Sequence, residues 1–264
     1  MKNSLYILSA FLFTSAVLCG CRAVPISDRT QLMLTTSAYE NELGATAYAE
    51  YKAEYRPSSN TEYNQALNRC GNAIARAAEQ DDFEWEFIVL DSEIQNAFCL
   101  PGGKVAVYSG LMDVMKNEAE LACIVAHEAA HAIARHGGER MSWSYLQNLG
   151  ALGVAAGFNN ETLNEIYGIG SELGVMLPFS RSNEYEADQI GLILMARAGY
   201  DPQAAIDFWT RFSQGKDTSV LETITSTHPC DADRIDNFRN YMQQAEEAYA
   251  NAPDKKGQGA IFSR

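Results

Sequence analysis

The chain has 264 residues and is 47% hydrophobic, enough for one sizeable domain with its own core. Its 34 acidic against 20 basic residues give a formal charge of −14, which argues against nucleic-acid binding and against holding an anionic membrane by charge. Nothing in the composition suggests a repeat array or a disordered chain.

Residues 1–20 stand apart: Lys2 is their only charge, Leu5 to Leu18 is apolar, and the segment ends in Leu18-Cys19-Gly20-Cys21. An apolar run of this length is too short to span a bilayer comfortably. It resembles a bacterial lipoprotein signal peptide, with Gly20 before the cleavage point and Cys21 as the lipidated N-terminus. The alternatives are an ordinary secretory signal or a single N-terminal anchor, and each leaves the rest of the chain outside the cytoplasm. Cleavage would remove Lys2, leaving 19 basic residues against 34 acidic, a balance of −15. Acyl chains, not charge, would then hold the membrane. In the lipoproteins this segment resembles, a residue such as Arg22 after the cysteine implies sorting to the outer membrane.

Residues 21–60 read as an N-terminal arm leading from the lipid anchor and packing on the main domain, with a Tyr-rich helix over 38–55 and a break at Pro57-Ser58-Ser59-Asn60. Residues 61–79 carry helical periodicity through Tyr63, Leu67, Cys70, Ile74 and Ala77. The pattern then changes. Trp85, Phe87, Val89 and Leu90 predict a strand, 96–100 a second, and Pro101-Gly102-Gly103 turns into a third over 104–108. Asn117 can cap the next helix with Glu120 three residues on, and Gly137-Gly138 offers its stop, giving a helix of about twenty residues. The apolar stretches 149–158 and 173–179 are too short for membrane spans and read as core or cleft wall. Further helices are predicted over 183–198, from Asp201-Pro202 through 212, and over 231–250. The polar tail 251–264 is expected to be mobile.

The chemistry concentrates in HEAAHAIARH. His127 and His131 lie four apart, one turn above each other on a helical face, so both imidazoles can aim at one Zn²⁺. Glu128 projects beside the metal, placed to take a proton from an activated water. His and Glu are costly on a buried face unless paired or coordinated, which disfavours a merely structural helix. A catalytic zinc needs a third protein ligand, and the best candidate is Glu184 in SRSNEYEADQIG. Asp188, four residues on, can bond the free ring nitrogen of a ligand histidine; Glu186 would point to a different face. Four cysteines beyond the signal, Cys70, Cys99, Cys123 and Cys230, allow three full pairings, and their spacing leaves the choice open. Cys123 can equally be a packed, unpaired thiol.

HEAAHAIARH combined with EYEAD resembles the zinc metalloendopeptidases that include the CAAX prenyl proteases, the heat-shock protease HtpX and periplasmic lipoprotein proteases of outer-membrane quality control. NAFCLPGGKVAVYSGLM, AGYDP and THPCDADRI match as well, and VPISDRTQLML looks like the lipoprotein branch. The resemblance covers nearly the whole mature chain. It implies an α+β, mostly α, zincin-like (gluzincin) catalytic domain over 61–250, with a small β-sheet beside the HExxH helix. It further implies one zinc per chain held by His127, His131 and Glu184, with Glu128 as general base. A sheet edge near Asn96 and Ala97 would pair with an extended substrate. Cys99 departs from the family's small or apolar residue there, which raises a disulfide near that edge. His228 is implied near the metal, as a transition-state group or as a reversible fourth ligand that blocks the water; the bland alternative is a helix-entry residue before Pro229. Arg234 would anchor that segment or polarise substrate.

Two functions are compatible with these residues. One is a lipid-anchored periplasmic endopeptidase that degrades misfolded or misassembled outer-membrane proteins, in possible association with their assembly machinery. The other is an assembly factor or chaperone for such proteins, with a gated or mainly structural zinc. An intact Glu128 favours the enzyme.

Overall fold

Alternating apolar side chains over 86–108 and apolar helix faces on either side of them build a core around one wholly buried helix. The computed structural model describes residues 21–152, 179–213, 228 and 232–262. The signal segment, residues 153–158 and 173–178 of the two apolar stretches, and Cys230 lie outside the described residues.

The arm opens with a short antiparallel pair, β1 (Cys21–Ala23) and β2 (Thr30–Leu32), which the sequence pattern did not signal. Helix α1 (Ser37–Glu54) is capped by Thr36, and α2 (Thr61–Ala78) by Asn60, whose Oδ1 accepts from the Tyr63 amide at 3.2 Å. Strands β3 (Glu86–Leu90), β4 (Ala97–Leu100) and β5 (Lys104–Tyr108) form a sheet in the order β3-β5-β4. β5 runs parallel to β3 and antiparallel to β4, and the β4–β5 turn uses Gly102 and Gly103 at φ 80° and 79°. α1 packs on this sheet: Tyr48 donates to the Val105 carbonyl at 3.3 Å, and the Tyr51 ring centroid lies 4.6 Å from that of Phe98.

After the single turn α3 (Ser109–Met112), the helix α4 (Glu118–Ile133) carries the HExxH motif, and every one of its residues is buried. Asn117 caps it, accepting from the Glu120 amide at 3.0 Å, while the Glu120 carboxylate reaches the Lys116 amide, one residue short of the usual reciprocal partner. Helices α5 (His136–Leu152), α6 (Arg181–Arg197), α7 (Gln203–Ser213) and α8 (Ala232–Ala250) surround it. The described residues are thus mostly helical with two small sheets, the α+β class expected.

Two expectations fail. The motif helix ends at Ile133, not at Gly137-Gly138, because Arg135 takes a left-handed backbone at φ 56° and α5 begins at once. No glycine marks that corner; the arm imposes it, since Arg135 donates to both oxygens of Glu40 at 2.9 and 2.7 Å and to the Thr35 carbonyl at 2.9 Å. The tail, expected to be mobile, lies across the start of α4 instead. Ala260 and Gln258 carbonyls accept from the Glu118 and Ala119 amides at 2.9 and 3.1 Å, and the Phe262 amide donates to Lys116 at 3.0 Å. Helix-initial amides have no partner within their own helix, and this tail supplies one for two of them.

Candidate metal centre

Ligands from two helices can share one ion only if the helices approach closely. Small residues make that approach possible here: a Cβ on Gly191 of α6 would stand 2.9 Å from both Cα and N of His127. Ala187 on α6 and Ala126, Ala129 and Ala130 on α4 are fully buried alongside. The close crossing brings the first turn of α6, capped by Ser180, against the middle of α4.

Four donor groups then converge. His127 Nε2 lies 3.2 Å from His131 Nε2, and Glu184 reaches His127 Nε2 and His131 Nε2 at 3.4 Å each. His228 Nδ1 lies 3.3 Å from His127 Nε2 and 3.2 Å from Glu184 Oε1. Zinc bonds of 2.0–2.1 Å in a tetrahedron require donors about 3.3–3.4 Å apart, so these residues fit that ion. The donor atoms of all four side chains fall within 4.8 Å of one another, and all four are buried. His228 therefore offers a fourth donor beside His127 and Glu184, with its other nitrogen, Nε2, 3.4 Å from Glu128 Oε1.

Behind the donors lies a charged frame. His127 Nδ1 is 3.0 Å from Asp188 Oδ1. Arg234, 1% exposed, donates to both Asp188 oxygens at 2.8 and 2.6 Å, lies 3.3 Å from Glu184 Oε2, and reaches the His228 carbonyl at 3.4 Å. Its guanidinium sits 4.2 Å from the Trp209 ring centroid. Arg234 thus links the His228 carbonyl to the acidic pair.

Burial disfavours every charge here, and the neighbours decide which survive. Burial pushes the Glu128 carboxyl above its ordinary value, against the lowering influence of His228 and His127. Burial also opposes ionisation of Glu184, but hydrogen bonds with His127, His131 and His228 hold it well below the usual carboxylate range. Asp188 is likewise held down, by Arg234 and then His127, despite its burial. Burial lowers the affinity of His127 for a proton, yet Asp188 and Glu184 outweigh it and raise its pKa to about 9. His131, without a carboxylate behind it, is driven well below its ordinary value by burial. The cluster is an electron-rich cradle that a dication would satisfy.

Residues 61–242 match Peptidase family M48. The chain belongs to peptidase family M48. Among relatives of this M48 metalloendopeptidase, the mitochondrial metalloendopeptidase OMA1 of Schizosaccharomyces pombe is 32% identical over 228 residues, covering 84% of this chain and 67% of that protein. OMA1 of Arabidopsis thaliana is 38% identical over 158 residues, 60% of this chain and 31% of that protein. The β-barrel assembly-enhancing protease of Escherichia coli strain K12 is 30% identical over 190 residues, 68% of this chain and 39% of that protein. The chain spans between about a third and two thirds of these relatives. They include mitochondrial as well as bacterial proteins, so family membership reaches only the coarser part of the resemblance drawn from the sequence.

The M48 chain places its remaining candidate residues less directly. β4 is an edge strand, and because the Tyr108 amide donates to the Asn96 carbonyl at 3.0 Å, alternation turns the main-chain groups of Ala97 and Cys99 outward. The Ala97 amide is already taken by the Asn96 side chain at 2.9 Å. Cys70, Cys99 and Cys123 are free thiols, which removes any disulfide among these three, and Cys99 Sγ donates to the Leu100 carbonyl at 3.6 Å. Glu186 points away from the donors, as its position in the helix suggested. Its target is His136, whose Nε2 lies 2.8 Å from Glu186 Oε2 and whose Nδ1 lies 2.8 Å from His131 Nδ1. Sequence reasoning gave His136 no role, although it stands in the quoted motif five residues after His131. Phe179, the last residue of a stretch read only as core or cleft wall, stacks on His131 with centroids 4.0 Å apart. Among the described residues, no helix is long and apolar enough to cross a membrane.

Proposed function

We propose that this chain is a zinc-dependent endopeptidase with one zinc held by His127, His131 and Glu184, and that His228 is a displaceable fourth donor that gates it. The observation that carries the reading is the convergence of four buried donors within 4.8 Å of one another, with His228 lying far from the other three in sequence. When bound, zinc supplies acidification of a water and polarisation of the peptide carbonyl. Glu128 accepts the proton of the attacking water at a carboxylate oxygen and delivers it to the amide nitrogen of the departing amine. Its burial, which makes the carboxyl a stronger base than usual, suits both transfers. His228, once displaced from the fourth corner, is positioned by Arg234 to hydrogen-bond the substrate oxygen. The outward groups of β4 at Ala97 and Cys99 would pair with an extended substrate, with Asn96 yielding the Ala97 amide.

The substrates would be unfolded or misassembled outer-membrane and periplasmic proteins. The chain would work as a lipoprotein anchored through Cys21 on the periplasmic side of the bacterial outer membrane, beside the assembly machinery for such proteins. The 1–20 segment and the resemblance to the bacterial β-barrel assembly-enhancing protease support this placement. A second reading, an assembly factor with a closed structural zinc, is favoured by the same His228 geometry. Two variants separate them. Glu128→Gln should keep stoichiometric zinc and lose cleavage of an unfolded outer-membrane protein by about 10²-fold or more; full cleavage by it would overturn the mechanism. His228→Ala should keep zinc if three donors suffice. Loss of zinc from that variant would favour the structural site.

A further inference from the structure

The two histidines of the motif are backed differently. His127 meets a carboxylate directly, Asp188 at 3.0 Å, whereas His131 meets a second imidazole, His136, at 2.8 Å. We propose that His136 is a positioning residue for His131, and that the N-terminal arm sets its position through Ser27, Arg29 and Glu40.

The inference rests on the zinc reading above. A neutral His131 that presents Nε2 to the donor cluster carries its proton on Nδ1, and His136 Nδ1 is the atom that lies there to accept it. His136 must then carry its own proton on Nε2, where it donates to Glu186 Oε2 at 2.8 Å. One arrangement of protons satisfies the whole chain. Both His136 and Glu186 are buried, so neither can exchange its partner for water.

Glu186 is in turn fixed from outside the catalytic domain. Ser27 donates to its Oε1, and Arg29 Nε donates to its Oε2 at 2.8 Å. The two terminal nitrogens of Arg29 grip both oxygens of Glu139 on α5 at 2.9 and 2.8 Å. Arg29 thereby ties α5, which carries His136, to α6, which carries Glu184 and Glu186. The arm acts a second time at the corner before His136, where Glu40 holds Arg135 in its left-handed conformation. Gly138 makes room for that grip, since a Cβ there would overlap Glu40 Oε1. Thus Gly138, the second of the two glycines that the sequence marks as a helix stop, instead admits the arm's carboxylate into the first turn of α5. Phe179 closes the open face of the His131 ring, and Arg140 lies 4.3 Å above Phe179 in turn.

The test uses the full chain in detergent, stripped of metal and titrated with zinc against a chromophoric chelator, with cobalt(II) as a spectroscopic stand-in. His136→Phe keeps an aromatic ring but removes the acceptor, and its zinc affinity should fall about 10–100-fold, the usual consequence of losing the partner of a metal-bound histidine. His136→Gln, whose amide oxygen can accept from His131, should recover at least half of that loss on a logarithmic scale. Arg29→Met, remote from the donors and partly exposed, should weaken zinc several-fold and shift the visible cobalt bands, which a general loss of stability would not do. If His136→Phe fails to fold, Arg29→Met decides. Variants that bind zinc within twofold of the parent, with unchanged cobalt bands, overturn the positioning role while leaving the zinc reading intact. A parent chain that takes up no zinc overturns both.

Discussion

Arg234→Met removes a cation from a place where water cannot replace it. The guanidinium is 1% exposed and bonds both oxygens of Asp188, with Glu184 Oε2 at 3.3 Å beside it. Without metal, this cation and His127, whose pKa is raised to about 9, face two buried carboxylates, both held ionised. Removing one partner of a buried ion pair costs about 3–5 kcal/mol, because the other charge stays buried. At about 2–4 °C per kcal/mol for a domain of this size, the metal-free midpoint should drop by roughly 6–20 °C. Urea denaturation in chelator, with the slope compared between parent and variant, measures the loss directly. Zinc at a thousandfold excess over its dissociation constant adds about 4 kcal/mol, and its charge also falls on Glu184, so the variant's deficit should shrink when zinc is present. The control is the double variant with Asp188→Asn. If the ion pair carries the effect, the double variant loses clearly less than the sum of the singles. A metal-free loss below about 1 kcal/mol, or strictly additive losses, would refute the electrostatic account and leave the contact with Trp209 as the main contribution.

Other perturbations test the scaffold. Gly191→Ala should push α6 from α4 at His127, costing about 1–3 kcal/mol by overpacking and weakening zinc more than Gly137→Ala, whose added Cβ meets nothing within 4 Å. Equal zinc affinity in the two variants would show that the close crossing does not set the donor spacing. Phe262→Ala should loosen the tail from α4, costing up to about 3 kcal/mol and speeding hydrogen exchange at the Glu118 and Ala119 amides. Asn117→Ala should cost about 1 kcal/mol through loss of the cap, measured by the same denaturation, with zinc affinity unchanged.

What could be read from sequence divides along the range of the forces involved. Helix periodicity, the cap at Asn117 and the Gly102-Gly103 turn depend on neighbours a few residues away, and each element they mark is present. The four-residue spacings in α4 and α6 likewise place His127 above His131 and Glu184 above Asp188 by local geometry alone. The misses share another cause. A left-handed Arg135 has no local signature, because its ion pair comes from Glu40, 95 residues earlier. The tail looks solvated because its polar side chains are exposed, while its backbone carries the bonding, and composition is silent on backbone bonds. Glu186 reads from its spacing only as facing away from the metal; that it is the far end of a hydrogen-bond chain from His131 depends on Arg29, 157 residues away. The local signals therefore specify the candidate donors, and the distant ones specify how rigidly those side chains are held. The proposed gating by His228 would make that rigidity consequential: a fourth donor can leave and return only if the other three hold their places while it does.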